Sequence, residues 1–267
     1  MSETVVFVKQ TGEALADSSR KLTDDDAIAS AAKGLAAAHE VAQQHQARGL
    51  VVVSGAGNLC RGASSRFPRA DARGRLATIM NTLALVDGLE ELGVPVTPMV
   101  APGMEYGDKV SGVTFEPFSP EAIGKAHDLG NLALLGGGMG RNNETTDSAV
   151  VRAAAAYRGV YDARAVVLKT TTYDGVYDAD PRVETNPPHY QTISAAFMDQ
   201  NYHRFGVVDR NCLQVMRDAG LEMRIYAGSQ YPLAEVVQAE LDTQHAHTIG
   251  TRVLPFEIEP TFYETAA

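Results

Sequence analysis

The chain has 267 residues, 45% of them hydrophobic, enough to bury the core of one large α/β domain. With 33 acidic residues against 23 basic ones, its net charge of −10 excludes a general nucleic-acid-binding face, while leaving room for a locally basic pocket that takes a small anion. No apolar run approaches the ~20 residues that span a membrane, no basic segment precedes the first apolar run, and Cys60 and Cys212 lack paired spacing, so the expectation is a soluble, cytoplasmic protein with reduced thiols and no zinc site.

Thr4 to Val8 reads as a buried strand that ends at Lys9, with a turn at Gly12. Asp24, Asp25 and Asp26 suit the first turn of a helix that runs to about Gln46, with Ala27, Ala31, Leu35, Ala38 and Ala42 at helical spacing. Leu50 to Ser54 is a second strand and runs into Gly55-Ala56-Gly57-Asn58. A helix follows from Arg75 to Leu92, then a strand from Val94 to Val100. Ser119 and Pro120 open a short helix to Asp128 as N-cap and first helical residue. The strand Leu132 to Leu135 runs into Gly136-Gly137-Gly138-Met139-Gly140, and an alanine-rich helix spans Thr146 to Arg158. Ala163 to Lys169 is a strand, Asp174-Gly175 has hairpin-turn composition, and Asn211–Ala219, Glu222–Tyr226 and Pro232–Leu241 read as helix, strand and helix. Alternation of this kind predicts α/β architecture, a mainly parallel sheet covered on both faces. No linker interrupts residues 1–267, so one domain is expected, divided internally near residue 160.

Strand, glycine loop, helix is how an open α/β sheet offers backbone N–H groups and a helix N-terminus to a phosphate. Two such loops with Arg61, Arg66, Arg69, Arg73 and Arg75 between them point to a site for two phosphorylated ligands. The bland alternative for the arginines is a solvated basic loop or a subunit contact. Lys9 stands where ligands collect in such sheets and could bridge two phosphates as a point charge; a solvated strand-end lysine would look the same. Asp71 reads as the cap of the Arg75 helix or as an acceptor for sugar hydroxyls. Thr145, Thr146 and Asp147 read as a helix start or as groups that position Lys9 or a metal, and Asp174 and Asp209 share that ambiguity. Neither a Gly-x-Ser-x-Gly elbow nor a Gly-Lys-Ser/Thr loop is present, so phosphate chemistry here would proceed without a P-loop.

Several motifs in order complete a resemblance over about Val5 to Gly250: Val8-Lys9-Gln10-Thr11-Gly12-Glu13-Ala14-Leu15, Gly55 to Gly62, Leu76 to Asn81, Thr145-Thr146-Asp147-Ser148, Leu168-Lys169, Asp174 to Pro181, Val208-Asp209 and Ile249-Gly250-Thr251. With these the chain resembles the amino acid kinase superfamily, and within it the bacterial uridylate (UMP) kinases. The resemblance implies a three-layer α/β/α sandwich whose N-terminal half, about residues 1–160, takes the phosphate acceptor and whose C-terminal half, about 161–267, takes ATP–Mg²⁺. It implies Lys9, Asp147 and Asp209 at the reaction centre, with Lys9 bridging the transferred phosphoryl group. Gly55, Ala56, Gly57, Arg61, Asp71, Met139 and Thr146 would surround the acceptor: the glycines through backbone N–H groups, Arg61 on the phosphate, Asp71 on ribose hydroxyls. Gly12, Lys169, Thr171, Asp174, Tyr177 and Asp180 would surround ATP, and the chain's own residues are expected to hold no separate metal. A homo-oligomer, a hexamer in the family, is implied, and the alanine face of the Asp24–Gln46 helix could pack on a copy of itself.

The acceptor side departs from the family pattern. Ala56 replaces the middle glycine of the first loop, Met139 replaces a threonine of the second, and Arg141-Asn142-Asn143-Glu144 replaces Asn-Pro-Phe-Phe. A carboxylate at 144 would repel a monophosphate, whereas Arg73, Arg75 and Arg141 add positive charge. On the ATP side Thr172 stands for a lysine, and the tail beyond Thr251 is extended. The expected activity is in-line phosphoryl transfer from ATP to UMP. The alternatives are a kinase for another small anion (a phosphonate, a carboxylate or a modified nucleotide) and a nucleotide-binding storage or regulatory protein. Retention of Lys9, Arg61, Asp147, Lys169 and Asp209 together favours turnover.

Overall fold

Strand β1 (Thr4–Gln10) sorts its side chains by parity: Val5 and Phe7 enter one core, Val6 and Val8 the other. Those two cores set the layers of the protein, seen here in a computed structural model that describes residues 3–16, 22–45, 47–60, 69–108, 112–142, 144–242 and 249–263. The first core lies beneath α3 (Pro120–Asp128), α4 (Thr146–Val160), α5 (Ala195–Gln200), α6 (Tyr202–Phe205) and α7 (Arg210–Ala219). The second lies beneath α1 (Asp25–Gln44), α2 (Ala70–Glu91) and α8 (Leu233–Leu241). The alanine face of α1 is spent inside the chain, since Ala32, Leu35, Ala38 and Ala42 join Leu85, Val86 and Leu89 of α2 and Val236 and Val237 of α8.

Between the layers runs a ten-stranded sheet in the order β12-β9-β11-β10-β8-β1-β2-β7-β3-β6. The strands are β2 (Gly49–Ser54), β3 (Val96–Val100), β6 (Glu116–Pro117), β7 (Leu132–Gly136), β8 (Arg164–Thr171), β9 (Tyr190–Ser194), β10 (Glu222–Ala227), β11 (Thr251–Leu254) and β12 (Thr261–Phe262). A separate hairpin pairs β4 (Gly107–Asp108) with β5 (Val113–Thr114). The sheet is parallel except where β11 meets β10 and β12 meets β9. β1 lies between β2 and β8, so the chain winds out one way through β2 and returns on the other side through β8. That reversal is the topological switch point, where the C-terminal strand ends open a crevice. The three-layer α/β/α expectation holds. Among the described residues no helix is long and apolar enough to cross a membrane.

Several boundaries differ from those expected. α2 begins at Ala70 rather than Arg75, and Gly74 is taken into its second turn with open space where a side chain would be. Asp71 therefore lies in the first turn and is not the cap; Arg69 holds the N-cap position without a side-chain hydrogen bond. Asp174-Gly175 does not close a hairpin: it opens a long connection from β8 to β9, two strands that are not neighbours in the sheet. β9, β11 and β12 escaped the sequence reading because each is five residues or fewer and exists through its neighbours.

At the opposite edge from the crevice, His127 at the end of α3 is packed against Gly49, where a Cβ would fall 2.2 Å from the ring. Neither ring nitrogen completes a hydrogen bond, although the Leu50 backbone lies close enough to favour the charged ring slightly. Burial first, then the Arg48 guanidinium and His39, pull His127 down to about 4, against the nearby Asp128. A histidine depressed from 6.5 stays neutral in the fold but takes up a proton when unfolded. Its contribution is complete above about pH 6.5 and is lost as pH falls towards 4, a swing of about 3 kcal/mol. His39, lowered by its own burial, acts in the same direction. Urea denaturation between pH 7.5 and 4 is expected to show this loss, and His127→Leu to flatten that part of the profile.

Candidate functional site

The parity rule that fixes the cores carries one step further along β1 and β8. Val5, Phe7 and Lys9 are register partners of Ala165, Val167 and Lys169, so both lysines emerge side by side on the α4 face of the sheet. Two ammonium groups on adjacent strands repel, and Asp147 in the first turn of α4 answers them. Its Oδ2 accepts from Lys169 Nζ at 2.5 Å, and its Oδ1 lies 3.6 Å from Lys9 Nζ, an ion pair too long for a hydrogen bond. Oδ1 is buried and accepts no hydrogen bond. Burial alone would raise the Asp147 carboxyl, but Lys169 and then Lys9 outweigh it and hold it below the usual carboxylate range. Burial, then Lys169, lower the Lys9 ammonium despite Asp147. Two ammonium groups side by side in a largely buried crevice offer an anion two point charges at once.

The start of α4 is held by Asp209. Thr145 caps α4, accepting from the N–H groups of Asp147 and Ser148 at 3.2 and 3.4 Å. Thr145 Oγ1 in turn donates to Asp209 Oδ2 in a short hydrogen bond, and Ser148 Oγ donates to Oδ1 at 2.6 Å. Asp209 also caps α7 through Cys212 N–H at 2.8 Å. Two helix N-termini thus meet at one carboxylate close to the lysines. In the sequence reading Asp209 belongs to the reaction centre; here its oxygens are engaged in fastening the element that carries Asp147.

Both glycine loops hang from one face of α2. Asn81, fully buried, donates to Gly55 O at 2.6 Å and exchanges amide hydrogen bonds with Asn58 at 2.8 and 3.3 Å. Thr82 Oγ1 donates to Thr78 O and, at 2.9 Å, accepts from Ser54 Oγ. Thr78 Oγ1 accepts from Gly137 N–H at 2.7 Å. Thr78, Asn81 and Ser148 stand within the sequence motifs without a role of their own, and Thr82 was missed. The available signal was polar residues at i, i+3 and i+4 along the buried face of a helix.

Within the first loop, the expectation that Gly55 offers its N–H to a ligand is corrected: that group donates to Gln10 O at 2.8 Å. Gly55 lies instead close against β1, since a Cβ would lie 3.0 Å from Gln10 O. A Cβ on Gly57 would strike the Glu13 carboxylate at 2.0 Å, and one on Gly12 would come within 2.7 Å of Gly57 N. Gly12, expected near ATP, therefore packs on the first loop, and Ala56 is buried beside it. In the second loop Gly137, Gly138 and Gly140 take φ values of +83°, +62° and +71°, backbone that side chains rarely adopt. Met139 packs against the first core, and Arg75 Nη1 donates to Arg141 O and Asn142 Oδ1 at 3.3 and 3.2 Å. The expected repulsion from Glu144 is also corrected, because Oε1 accepts from Arg152 Nε at 2.5 Å and the charge is paired there. Arg61, Arg66 and Asn143 lie outside the described residues.

On the β8–β10 side, Thr171 Oγ1 donates to Tyr173 O at 2.5 Å. Asp174 accepts from Ala227 N–H and Tyr231 Oη, each at 3.4 Å, and Tyr177 stacks on His189. Asp180 does not join this group: Arg182 hydrogen-bonds both its oxygens and holds its carboxyl down at about 2, out in solvent. The structure thus gathers Lys9, Asp147, Thr146, Lys169 and Asp209 at the crevice, with the Gly55–Gly57 loop on the β2 flank and Asp174 and Tyr177 beyond the end of β8.

The sequence model described as Amino acid kinase family matches residues 4–227. Among solved structures, UMP kinase from Bacillus anthracis superposes with a TM-score of 0.77 at 22% identity, covering 98% of this chain and 99% of that one. UMP kinase from Ureaplasma parvum gives 0.75 at 23%, covering 95% and 99%. Aspartate kinase from Synechocystis gives 0.62 at 14%, covering 96% of this chain and 40% of that one.

The latch from α2 can be broken on its own. Asn81→Leu leaves Gly55 O and the Asn58 amide without their buried partner, at about 1–3 kcal/mol each, so a loss of about 2–6 kcal/mol is expected in urea denaturation. Leu85→Met on the same helix, a volume-conserving change, is expected to cost less than about 1.5 kcal/mol.

Proposed function

Because the chain belongs to the amino acid kinase family, we propose that it transfers the γ-phosphoryl group of ATP to a small anionic acceptor, UMP first among candidates. The observation that carries this reading is the pair of in-register lysines bridged by Asp147 at the switch point. In it, an acceptor phosphate oxygen attacks the γ-phosphorus, the bond to the β-phosphate oxygen breaks, and ADP leaves, so UMP and ATP give UDP and ADP. The attacking oxygen is already anionic, so no general base is required, and no covalent enzyme intermediate forms. Catalysis then rests on positioning and charge neutralisation.

Lys9, next to the β2 loop, would follow the phosphoryl group between donor and acceptor. Lys169 would hold the donor phosphates, and Asp147 would keep both ammonium groups aimed. Thr146 and the α4 N-terminus would add the pull of the helix dipole. Asp209 would act through Thr145 and Ser148. The N–H of Gly57 and the Arg61 side chain would receive the acceptor phosphate, with Asp71 reaching its sugar. Magnesium fits this site through the buried, unbonded Oδ1 of Asp147. Among the described residues no three His, Cys, Asp or Glu side chains converge, so phosphate oxygens and water would complete its shell, as Mg²⁺ commonly requires. The ion would neutralise charge on the phosphates. A homo-oligomer belongs to the same reading and would draw on Leu76 and Met80, exposed one turn apart on α2.

A second reading, a different small acceptor, has its own observation: a partly buried Met139 packs against the core where the resemblance places a hydroxyl. Purified protein with ATP–Mg²⁺ should release ADP fastest with UMP when compared with CMP, a phosphonate panel and an acceptor-free control. Turnover confined to another acceptor would replace UMP, and ATP binding without turnover on any acceptor would favour a storage or regulatory role. Lys9→Ala should lower kcat by about 10²–10³-fold, the scale of losing one charge-stabilising group, with the fold intact by circular dichroism; normal turnover would remove Lys9 from the mechanism. Arg61→Ala should raise the acceptor KM about tenfold or more, as loss of a bidentate phosphate contact does, with the ATP KM unchanged.

A further inference from the structure

The connection from β8 to β9, residues 172–189, carries Asp174 and Tyr177 and has little secondary structure of its own. A connection this long needs outside support to hold one conformation. Part of that support comes from β11: Val176 N–H donates to Thr251 Oγ1 at 2.8 Å, and Thr251 Oγ1 donates to Tyr190 O at 2.5 Å. Gly175, with φ +90°, presses so close that a Cβ would lie 2.3 Å from Thr251 Oγ1 and 2.7 Å from His189 Nε2.

The rest comes from the C-terminal segment. The His189 ring lies between two phenols, stacked on Tyr177 at 4.5 Å and 17° and tilted against Tyr263 at 4.7 Å and 38°. Tyr263 is anchored at both ends: its N–H donates to His189 O at 3.0 Å and its hydroxyl donates to Gly250 O at 2.7 Å. The neighbouring Phe262 stacks on Tyr190 at 4.4 Å. Asp174 and Tyr231 lie near Tyr177, at the ends of β8 and β10 and one strand removed from β1. That is where the base and ribose of a nucleotide would lie if its phosphates met Lys169.

We propose that Tyr263 and His189 are positioning residues of the donor-nucleotide pocket: a three-ring stack, closed by the C-terminal strand, fixes Tyr177 to receive the base of ATP. The inference rests on the reading of Tyr177 as an ATP contact. A ring already held in its binding orientation has less freedom to lose when the ligand arrives, and each aromatic pair adds attraction beyond the area it buries.

The test compares wild type, Tyr263→Ala, Tyr263→Leu and Tyr263→Phe by calorimetric titration with ATP–Mg²⁺ alone and by steady-state kinetics with the acceptor that wild type uses. Tyr263→Ala and Tyr263→Leu should weaken ATP about three- to tenfold, leaving the acceptor KM and kcat within about twofold; Tyr263→Phe, which keeps the ring, should stay close to wild type. Tyr263→Leu retains apolar bulk, so it reports on the stack if Tyr263→Ala folds poorly. Unchanged ATP affinity in both variants would overturn the brace, as would a parallel loss of acceptor affinity or an equal loss in Tyr263→Phe. Failure of wild type to bind ATP would overturn the donor-site reading itself, an outcome that the wild-type titration separates from the other three.

Discussion

Everything at the crevice depends on a repulsion that the fold creates and then contains. Parallel pairing of β1 with β8 puts Lys9 beside Lys169 in register, both on one face. The pair is tolerable only because Asp147 arrives between them, its charge held by the same two cations. Removing one member of such a buried group costs about 3–5 kcal/mol, since a charge is left unanswered. The packing of α4 on the sheet is therefore constrained by electrostatics as well as by apolar area. The linkage to α7 through Asp209 follows from that constraint, because α4 must begin where Asp147 can reach.

The containment leaves loose ends at which a ligand can act. Lys9 Nζ stands 3.6 Å from Asp147 Oδ1, and that oxygen accepts no hydrogen bond, so both are unmet interactions that an anion and its cation can satisfy. On the β2 side the corresponding economy is geometric. α2 uses three polar residues, Thr78, Asn81 and Thr82, to hold both glycine loops, so the distance between the loops is that between turns of one helix. A rigid spacer suits a reaction in which two phosphates must meet in line.

The fold was legible because it rests on local signals: β1, β2, β7, β8 and β10 are apolar runs, and α1, α3 and α4 carry carboxylates or N-caps at their starts. Lys9, Asp147 and Lys169 could be named one by one, but their juxtaposition is a matter of register, which no single segment encodes. Corrections fell where the sequence offers two local meanings. Asp71 reads as a helix cap yet lies in the first turn, and Gly55 reads as a donor of its N–H yet has already spent it on Gln10. Glu144 reads as repulsive until Arg152, eight residues away, is seen beside it. Asn81 was invisible for a different reason: a buried amide shows its worth only through partners 23 and 26 residues distant.

The two flanks of the crevice are also built differently, which bears on how each can vary. The β2 flank is fastened to an interior helix by buried hydrogen bonds, and changes there disturb the core. The β8–β10 flank is closed by β9, β11 and β12, short strands at one side of the sheet joined partly in antiparallel fashion. Short strands near a sheet edge, with few pairs each, open at lower free energy than the central strands. That flank thus takes its order from the short strands at its edge, so under the proposed reading its affinity for a donor nucleotide would be open to tuning by edge and tail residues without disturbing the lysine–aspartate centre.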